Sequence, residues 1–383
     1  MKIKNSNKIK KLIIAIAISI LAIGTLFAFT GCDLFFDCGG DNGGGPIIIP
    51  TPDTPPNGGG TVVTPPECEV FDDGLRITFI DVGQGDAALI ELPTGERVLI
   101  DAGRWNLTHN SFRQDLRAFF LAGEKMQFDW FIATHAHADH IGSADWVVEN
   151  SYIQNIVRPI HFYTSSTANV GMAASIAANE ISSGAYRQFG IPTGEVRTMT
   201  TATLRRFVAA MQTSTWNDGT DTNIYLPIAG KTFEVGGAVF TFYSPTAHRY
   251  GITAGQGTVN YYSTIFCVYF NGRRILFTGD AYVSNENRIL HSLPRDFDII
   301  DLGHHGSNTS TGQDLLDWIT PTYAIIQVGT EATGNGYGHP HAPVRNRLEA
   351  ANIAVFRTDL HGHIIVEISA DGEHLRVRPT VSE

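Results

Sequence analysis

The segment THAHADHIGS, Thr134–Ser143, places three histidines and an aspartate within six residues, directly after the apolar run FDWFIA at 128–133. A short apolar run of this kind reads as a buried strand. The chain therefore has to end a buried strand in a turn crowded with imidazoles and carboxylates. Residues two apart on extended backbone project to the same side, so His135 and His137 are placed to grip one ion. A turn after them sends the adjacent Asp139 and His140 to a neighbouring position. Nitrogen and oxygen donors without thiolate suit Zn²⁺ or Mn²⁺.

Other strand-type runs follow the same plan. LRITFIDVGQGDAALIEL, ERVLIDAG, AVFTFYSP, TIFCVYFNGRRILFTGD, FDIIDLGHHG and TYAIIQVG are β-branched and aromatic, and most stop in Gly, Asp or His. Helical patterns, FRQDLRAFFLAG, SADWVVENS and QDLLDWI, lie between them. The fold class is α/β, or α+β in layers, with sheets covered by helices. Asp280, the pair His304 and His305, and His339 all fall where such runs end, and sites in layered folds gather at that edge of a sheet.

HAHADH matches the HxHxDH signature of the metallo-β-lactamase superfamily. ITFIDVGQGDAALIEL, VLIDAG, ILFTGDA, DLGHHGSNTST, GYGHP and FRTDLHGHI resemble, in that order, segments of its ComEC-like branch, over about Leu75 to Ile368. The resemblance implies an αββα sandwich with two divalent metal ions, Zn or Mn, on its edge. It puts His135 and His137 on one metal, Asp139 and His140 on the other, and Asp280 between them. Of His304 and His305, one supplies a further ligand and the other meets the substrate or protonates the leaving group. His304 is taken as the ligand and His305, with Asp139, as a catalytic group. His339 is a further candidate ligand. One departure stands out: the superfamily usually has another ligating His before the bridging Asp, and Asn260 stands about there. Asp86 and Asp101 are candidates to orient the ligating histidines. His248 is read as a surface histidine, and His361 and His363 as exposed.

The N-terminus reads separately from the fold. Five lysines precede the apolar run LIIAIAISILAIGTLFAFTGC, the pattern of a secretory signal. Its FTGC ending resembles a bacterial lipobox, which makes Cys32 a lipidation site; the alternative is an uncleaved N-terminal membrane helix. From 33 to 69 the Pro- and Gly-rich sequence reads as a stalk. Cys38 and Cys68 flank it, either paired in an oxidising compartment or left as stalk thiols. The hydrolase domain is expected at 70–383, with an insertion at about 150–245. Arg197, Arg205 and Arg206 there are placed either on phosphate or on a solvated helix face.

Charge narrows the function. The chain carries a formal −11, and beyond residue 32 it holds 22 basic and 38 acidic side chains. That argues against a general nucleic-acid-coating surface, but not against a phosphodiester substrate met at bound metal ions. The resemblance implies a metal-dependent hydrolase. HHGS looks like a segment shared by DNA-uptake nucleases and phosphorylcholine esterases, which favours a phosphodiesterase acting on nucleic acid or a cell-wall polymer. It would work at the extracellular face of the membrane, with no obligate protein partner inferred. The alternatives are a lactamase- or lactonase-type hydrolase and a metal-poor surface binding protein.

Overall fold

The computed structural model describes residues 71, 73–104, 112–159, 201–246 and 259–381. All of them lie in one of the two units into which the chain divides, Pro65–Glu383. The signal, Cys32, the stalk with Cys38 and Cys68, Arg197 and His248 lie outside the described residues, as does the larger part of the expected insertion.

Six strands cross one sheet in chain order: β1 (Leu75–Phe79), β2 (Ala88–Glu91), β3 (Arg97–Ile100), β4 (Met126–Ile132), β5 (Ser151–Val157) and β6 (Asn223–Tyr225). Seven cross a second: β7 (Thr232–Val235), β8 (Ala238–Ser244), β9 (Ile265–Phe270), β10 (Arg273–Phe277), β11 (Ile299–Asp301), β12 (Tyr323–Ile326) and β13 (Ala354–Arg357). The chain then returns to the first sheet, where β14 (Ile364–Ile368) pairs with β1 and β15 (Leu375–Pro379) forms the edge.

Each sheet contains a parallel run, β3 to β6 in one and β10 to β13 in the other. Parallel neighbours need a crossover, usually a helix. The helices α1 (Phe112–Ala118), α2 (Ala138–Ile141), α3 (Ala144–Asn150) and α4 (Ala202–Met211) supply it for the first sheet. For the second it comes from α5 (Val283–Ile289), α6 (Gln313–Ile319) and α7 (Ala342–Ala350). A last short helix, α8 (Thr358–His361), links β13 to β14.

Side-chain burial gives the layers. Ile77, Phe79, Ile90 and Val98 of the first sheet pack on Phe240, Phe242, Phe266 and Phe277 of the second. On the outer face of the first sheet, Leu89, Leu99, Phe128 and Phe131 pack on Leu116, Val147, Leu204 and Phe207 of its helices. Leu276, Ile300 and Ile326 do the same against Ile289, Leu316 and Leu348 on the far side. β4 is thus covered on both faces, which is why it reads as a nearly unbroken apolar run. β8 alternates strictly between buried and half-buried positions. The architecture is the expected αββα sandwich. Cys267, the free cysteine among the described residues, is buried in the outer core of the second sheet.

Where the outer face of the first sheet meets solvent, it carries charge in register. Arg376, Glu367, Arg76, Glu91 and Arg97 are successive cross-strand partners over β15, β14, β1, β2 and β3. Glu367 receives Arg76 at 3.0 Å, Arg376 at 2.6 Å and Arg378 at 3.1 Å. The three guanidiniums outweigh the cost of burying that carboxyl and hold its pKa down at about 2.

Candidate metal centre

The two parallel runs end at the same edge of the sandwich, and the loops after β3, β4, β10 and β11 deliver the polar residues. β4 hands the chain through Thr134 to His135, which is 1% exposed. His137 keeps extended backbone as the N-cap of α2, so Asp139 and His140 sit on the helical turn that follows. The turn after HAH is therefore real, and it separates the two pairs of donors. A close contact fixes it: a Cβ on Gly85 would lie 2.3 Å from the Asp139 carbonyl oxygen. Gly85 has φ +154°, and the amide of Asp86 donates to the same carbonyl. The DVGQGD loop is thus a floor under α2, as its glycines suggest.

Asp280 stands between two sets of donors. Its Oδ2 lies 3.4 Å from His135 Nε2, and His135 Nε2 lies 3.1 Å from His137 Nδ1. Its Oδ1 lies 3.1 Å from His140 Nε2 and 3.9 Å from His305 Nε2, while His305 Nε2 lies 3.5 Å from Asp139 Oδ2. Among the described residues, two donor groups have their atoms within 4.8 Å of one another: His135, His137 and Asp280, and Asp86, His140 and His305.

The second group needs division. His140 Nδ1 is taken by Asp101 at 2.8 Å, and Asp86 meets His305 on its Nδ1 side at 3.0 Å, where the Gln327 carbonyl also accepts at 2.9 Å. Asp86 therefore orients rings from behind, and so does Asp101. Thr134 donates its hydroxyl to Asp101 Oδ2 at 2.6 Å and lies 3.2 Å from His135 Nδ1, so it can accept the proton there. Each of these contacts holds a proton on Nδ1 and leaves Nε2 facing the edge. His140 Nε2, His305 Nε2, Asp280 Oδ1 and Asn260 Oδ1 are buried and make no hydrogen bond, although the first and third lie close together. Three orphaned nitrogen or oxygen atoms beside an orphaned oxygen of the Asp280 carboxylate fit divalent metal ions of the zinc or manganese type.

Electrostatics follow from this crowding. Burial opposes charge on His140, yet Asp280, Asp86 and Asp101 outweigh it and push its pKa well up. His305 is raised in the same way, chiefly by Asp86 and Asp280. Burial and the neighbouring His135 push His137 down to about 4. Burial favours the neutral form of Asp280, but His140 and His135 hold its carboxyl well below the usual range.

His304 and His305 follow the end of β11 on unusual backbone. They do not continue a strand: both have φ +53°, and both reach Asp280, His304 Nε2 at 3.5 Å from Oδ2. His305 is the buried one, whereas the His304 side chain is 24% exposed, with Nδ1 3.1 Å from Thr309 Oγ1. His339 stands outside both donor groups. Its ring packs against those of His304 and His305, centroids 5.6 and 6.2 Å away, and its Nδ1 lies 3.4 Å from Gln84 Nε2. Asn260 occupies the expected place, its Nδ2 3.4 Å from Asp280 Oδ2. His361 and His363 are half-buried rather than exposed, because each accepts a backbone N–H, from Arg357 and Asp81. Arg206 pairs with Asp145 at 2.8 Å, joining α4 to α3.

Three residues escaped sequence reasoning. Gln327 accepts from the Ala87 amide and donates to both oxygens of Asp301, besides holding His305 through its carbonyl. Burial and Asp86 push the Asp301 pKa well up. Gln84 spans from His339 to the Gly329 amide. The available signal was a polar residue closing the apolar run AIIQ, and one set between the two glycines of DVGQGD.

A model of the metallo-beta-lactamase superfamily matches residues 80–329. The chain is 27% identical over 304 residues to ComE operon protein 3 of Bacillus subtilis (strain 168), covering 76% of this chain and 32% of that protein. It is 33% identical over 120 residues to Competence protein ComA of Neisseria gonorrhoeae, covering 30% and 17%. With Recombination protein 2 of Haemophilus influenzae it shares 35% over 112 residues, covering 29% and 14%. The chain thus spans about a third or less of the length of these relatives. The metallo-beta-lactamase fold protein YhfI from Bacillus subtilis aligns over 77% of this chain and 99% of its own, at TM-score 0.43 and 10% identity. A fold of two facing sheets, donors converging on Asp280 at their shared edge, and a family match across most of the chain lead to one assignment: the chain belongs to the metallo-β-lactamase superfamily, in its competence ComEC-like branch.

Proposed function

We propose that this chain is a binuclear metal-dependent phosphodiesterase acting outside the cytoplasmic membrane. The observation that carries the reading is Asp280, whose two oxygens face two different donor groups. A carboxylate so placed suits two cations held a few ångströms apart. His135, His137 and Asp280 Oδ2 would hold one ion, and Asp139, His140, His305 and Asp280 Oδ1 the other. His305 is thereby the ligand and His304 the residue on the substrate side, the reverse of the sequence expectation. When bound, the metals supply Lewis acidity and a nucleophile derived from water near neutral pH. Asp101, Asp86 and Thr134 keep the ligating rings in one tautomer and orientation. His304, partly open to solvent, would hold the departing oxygen and, when protonated, donate a proton to it as the P–O bond breaks.

Phosphorus is favoured over a carbonyl centre by the HHGS segment and by relatives named for competence and recombination, a setting of nucleic-acid chemistry. The test is a panel of single-stranded DNA, duplex DNA, RNA, phosphorylcholine esters and nitrocefin with Zn²⁺ or Mn²⁺. We expect turnover of phosphodiesters alone, lost in Asp280→Asn. Hydrolysis of nitrocefin without phosphodiesters would overturn the reading. The basic and apolar N-terminus with Cys32 supports placement at the outer membrane face. Cys32→Ala is expected to move the protein out of the membrane fraction. Unchanged processing and membrane retention would refute lipidation there.

A further inference from the structure

Aromatic rings form a continuous row along the metal edge. Tyr261 meets Tyr282 edge-on, with centroids 4.8 Å apart. Tyr282 lies 6.1 Å from His304, and His304 lies 5.6 Å from His339. His339 is stacked on Tyr337 at 5.6 Å and 23°. Tyr337 is 64% exposed, while Tyr261 and Tyr282 are half-buried. The rings come from separate pieces of chain: the turn 260–262, the N-cap of α5, the HHGS turn and the loop after β12. Their alignment is therefore no by-product of one helix's periodicity. A tyrosine left this open forgoes the burial that usually holds such a ring.

We propose that Tyr337 and Tyr282 are base-stacking residues that make this site select an unpaired polynucleotide strand. Tyr282 neighbours His304 directly and Tyr337 neighbours it through His339, so bases next to a phosphate at the metal edge would meet one or the other. An unpaired base offers a free π-face to an aromatic side chain, whatever its identity. In a duplex those faces are already stacked on one another. The other ligand with an affinity for aromatic faces is a quaternary ammonium such as choline. It is held where several ring faces converge on one point within ~6 Å, whereas the tyrosines here enter the chain of contacts separately, Tyr282 beside His304 and Tyr337 beside His339. The formal charge of −11 gives the chain little general attraction for a polynucleotide backbone, which puts the weight on the metals and the rings. The proposal rests on the phosphodiesterase reading for the position of the phosphate.

Binding by the full chain, loaded with Zn²⁺ or Mn²⁺, tests it. The probes are a labelled oligothymidylate with cleavage-resistant phosphorothioate linkages, the same strand in a duplex, and an abasic strand of equal length. We expect the unpaired strand to bind more tightly than both. Tyr337→Ala should lower the ratio of affinities, oligothymidylate over abasic strand, by about 5- to 100-fold. Tyr337→Trp should keep that ratio, and Tyr282→Ala should lower it as Tyr337→Ala does. Equal losses for strands with and without bases, equal binding of duplex and single strand, or binding of phosphorylcholine with none of the oligonucleotide would overturn the proposal. Because the readout is affinity, absent hydrolysis would refute the phosphodiesterase reading without deciding the stacking.

Discussion

At the scale of single residues, the chemistry turns on the adjacent His304 and His305. Left-handed backbone at both costs roughly 1–2 kcal/mol per residue, and strain of this kind collects at functional sites. It is what lets both rings address Asp280 from different directions. His305→Ala should lose metal and turnover together, since Asp86 and Gln327 fix its ring with Nε2 toward the cluster. His304→Ala should retain metal and slow the reaction by ~10²–10⁴-fold, least with nitrophenyl leaving groups that depart without a proton. Metal content per chain beside turnover checks this. Equal metal loss in the two variants would make both ligands and leave the acid to be found elsewhere. Both ring nitrogens of His341 are already engaged, Nδ1 accepting from the Asn308 amide and Nε2 facing the Tyr337 carbonyl.

At the scale of elements, a buried carboxylate and its guanidiniums hold one edge of the first sheet. Glu367 of β14 is gripped from β1 and β15 and is 2% exposed. Its pKa is depressed in the folded chain, so its contribution is present above the unfolded value near 4.5 and lost as pH falls toward about 2. Screening around the partly exposed arginines brings that contribution to roughly 2 kcal/mol. Urea midpoints of chelated wild type and Glu367→Gln at pH 6 and pH 3 should show a gap that narrows at the lower pH. A gap independent of pH would refute the assignment. A second buried carboxylate serves a helix: Glu286 of α5 accepts from the Thr311 and Gly312 amides that open α6. Burial pushes it up to about 7 despite those donors.

At the scale of the molecule, the site is divided between the sheets. His135, His137, Asp139 and His140 follow β4 of the first, whereas Asp280, His304 and His305 follow β10 and β11 of the second. Metal held by donors from both sheets would tie the two halves together and add to the stability of the sandwich by mass action. At saturating metal, removal by a chelator should lower Tm by on the order of 5 °C. The shift should shrink in Asp280→Asn, as thermal melts would show. A Tm indifferent to chelation would mean that the donors hold no metal across the interface.

The sequence by itself determined the elements with strong local signals and the donors with short spacing. HAHADH could be read because its geometry depends only on one strand end and one helical turn; apolar runs punctuated by Gly, Asp and His carried the layered α/β class, and the αββα arrangement came from the family resemblance of the motifs. Asp280 was legible as the end of its run and through the resemblance, and Asn260 only by counting back from it to the place of the superfamily's usual histidine. Tertiary structure decided what depends on register and on direction. Arg376, Glu367 and Arg76 become partners only once β15, β14 and β1 are aligned, and a one-residue slip would turn each side chain to the other face. Gln327 was hidden as a lone polar residue closing an apolar strand, because its three partners come from distant segments. Which of His304 and His305 is buried depends on two left-handed residues that no periodicity announces. The row from Tyr261 to Tyr337 exists only where four separate loops reach one edge, since ring neighbours are set by packing rather than by spacing along the chain.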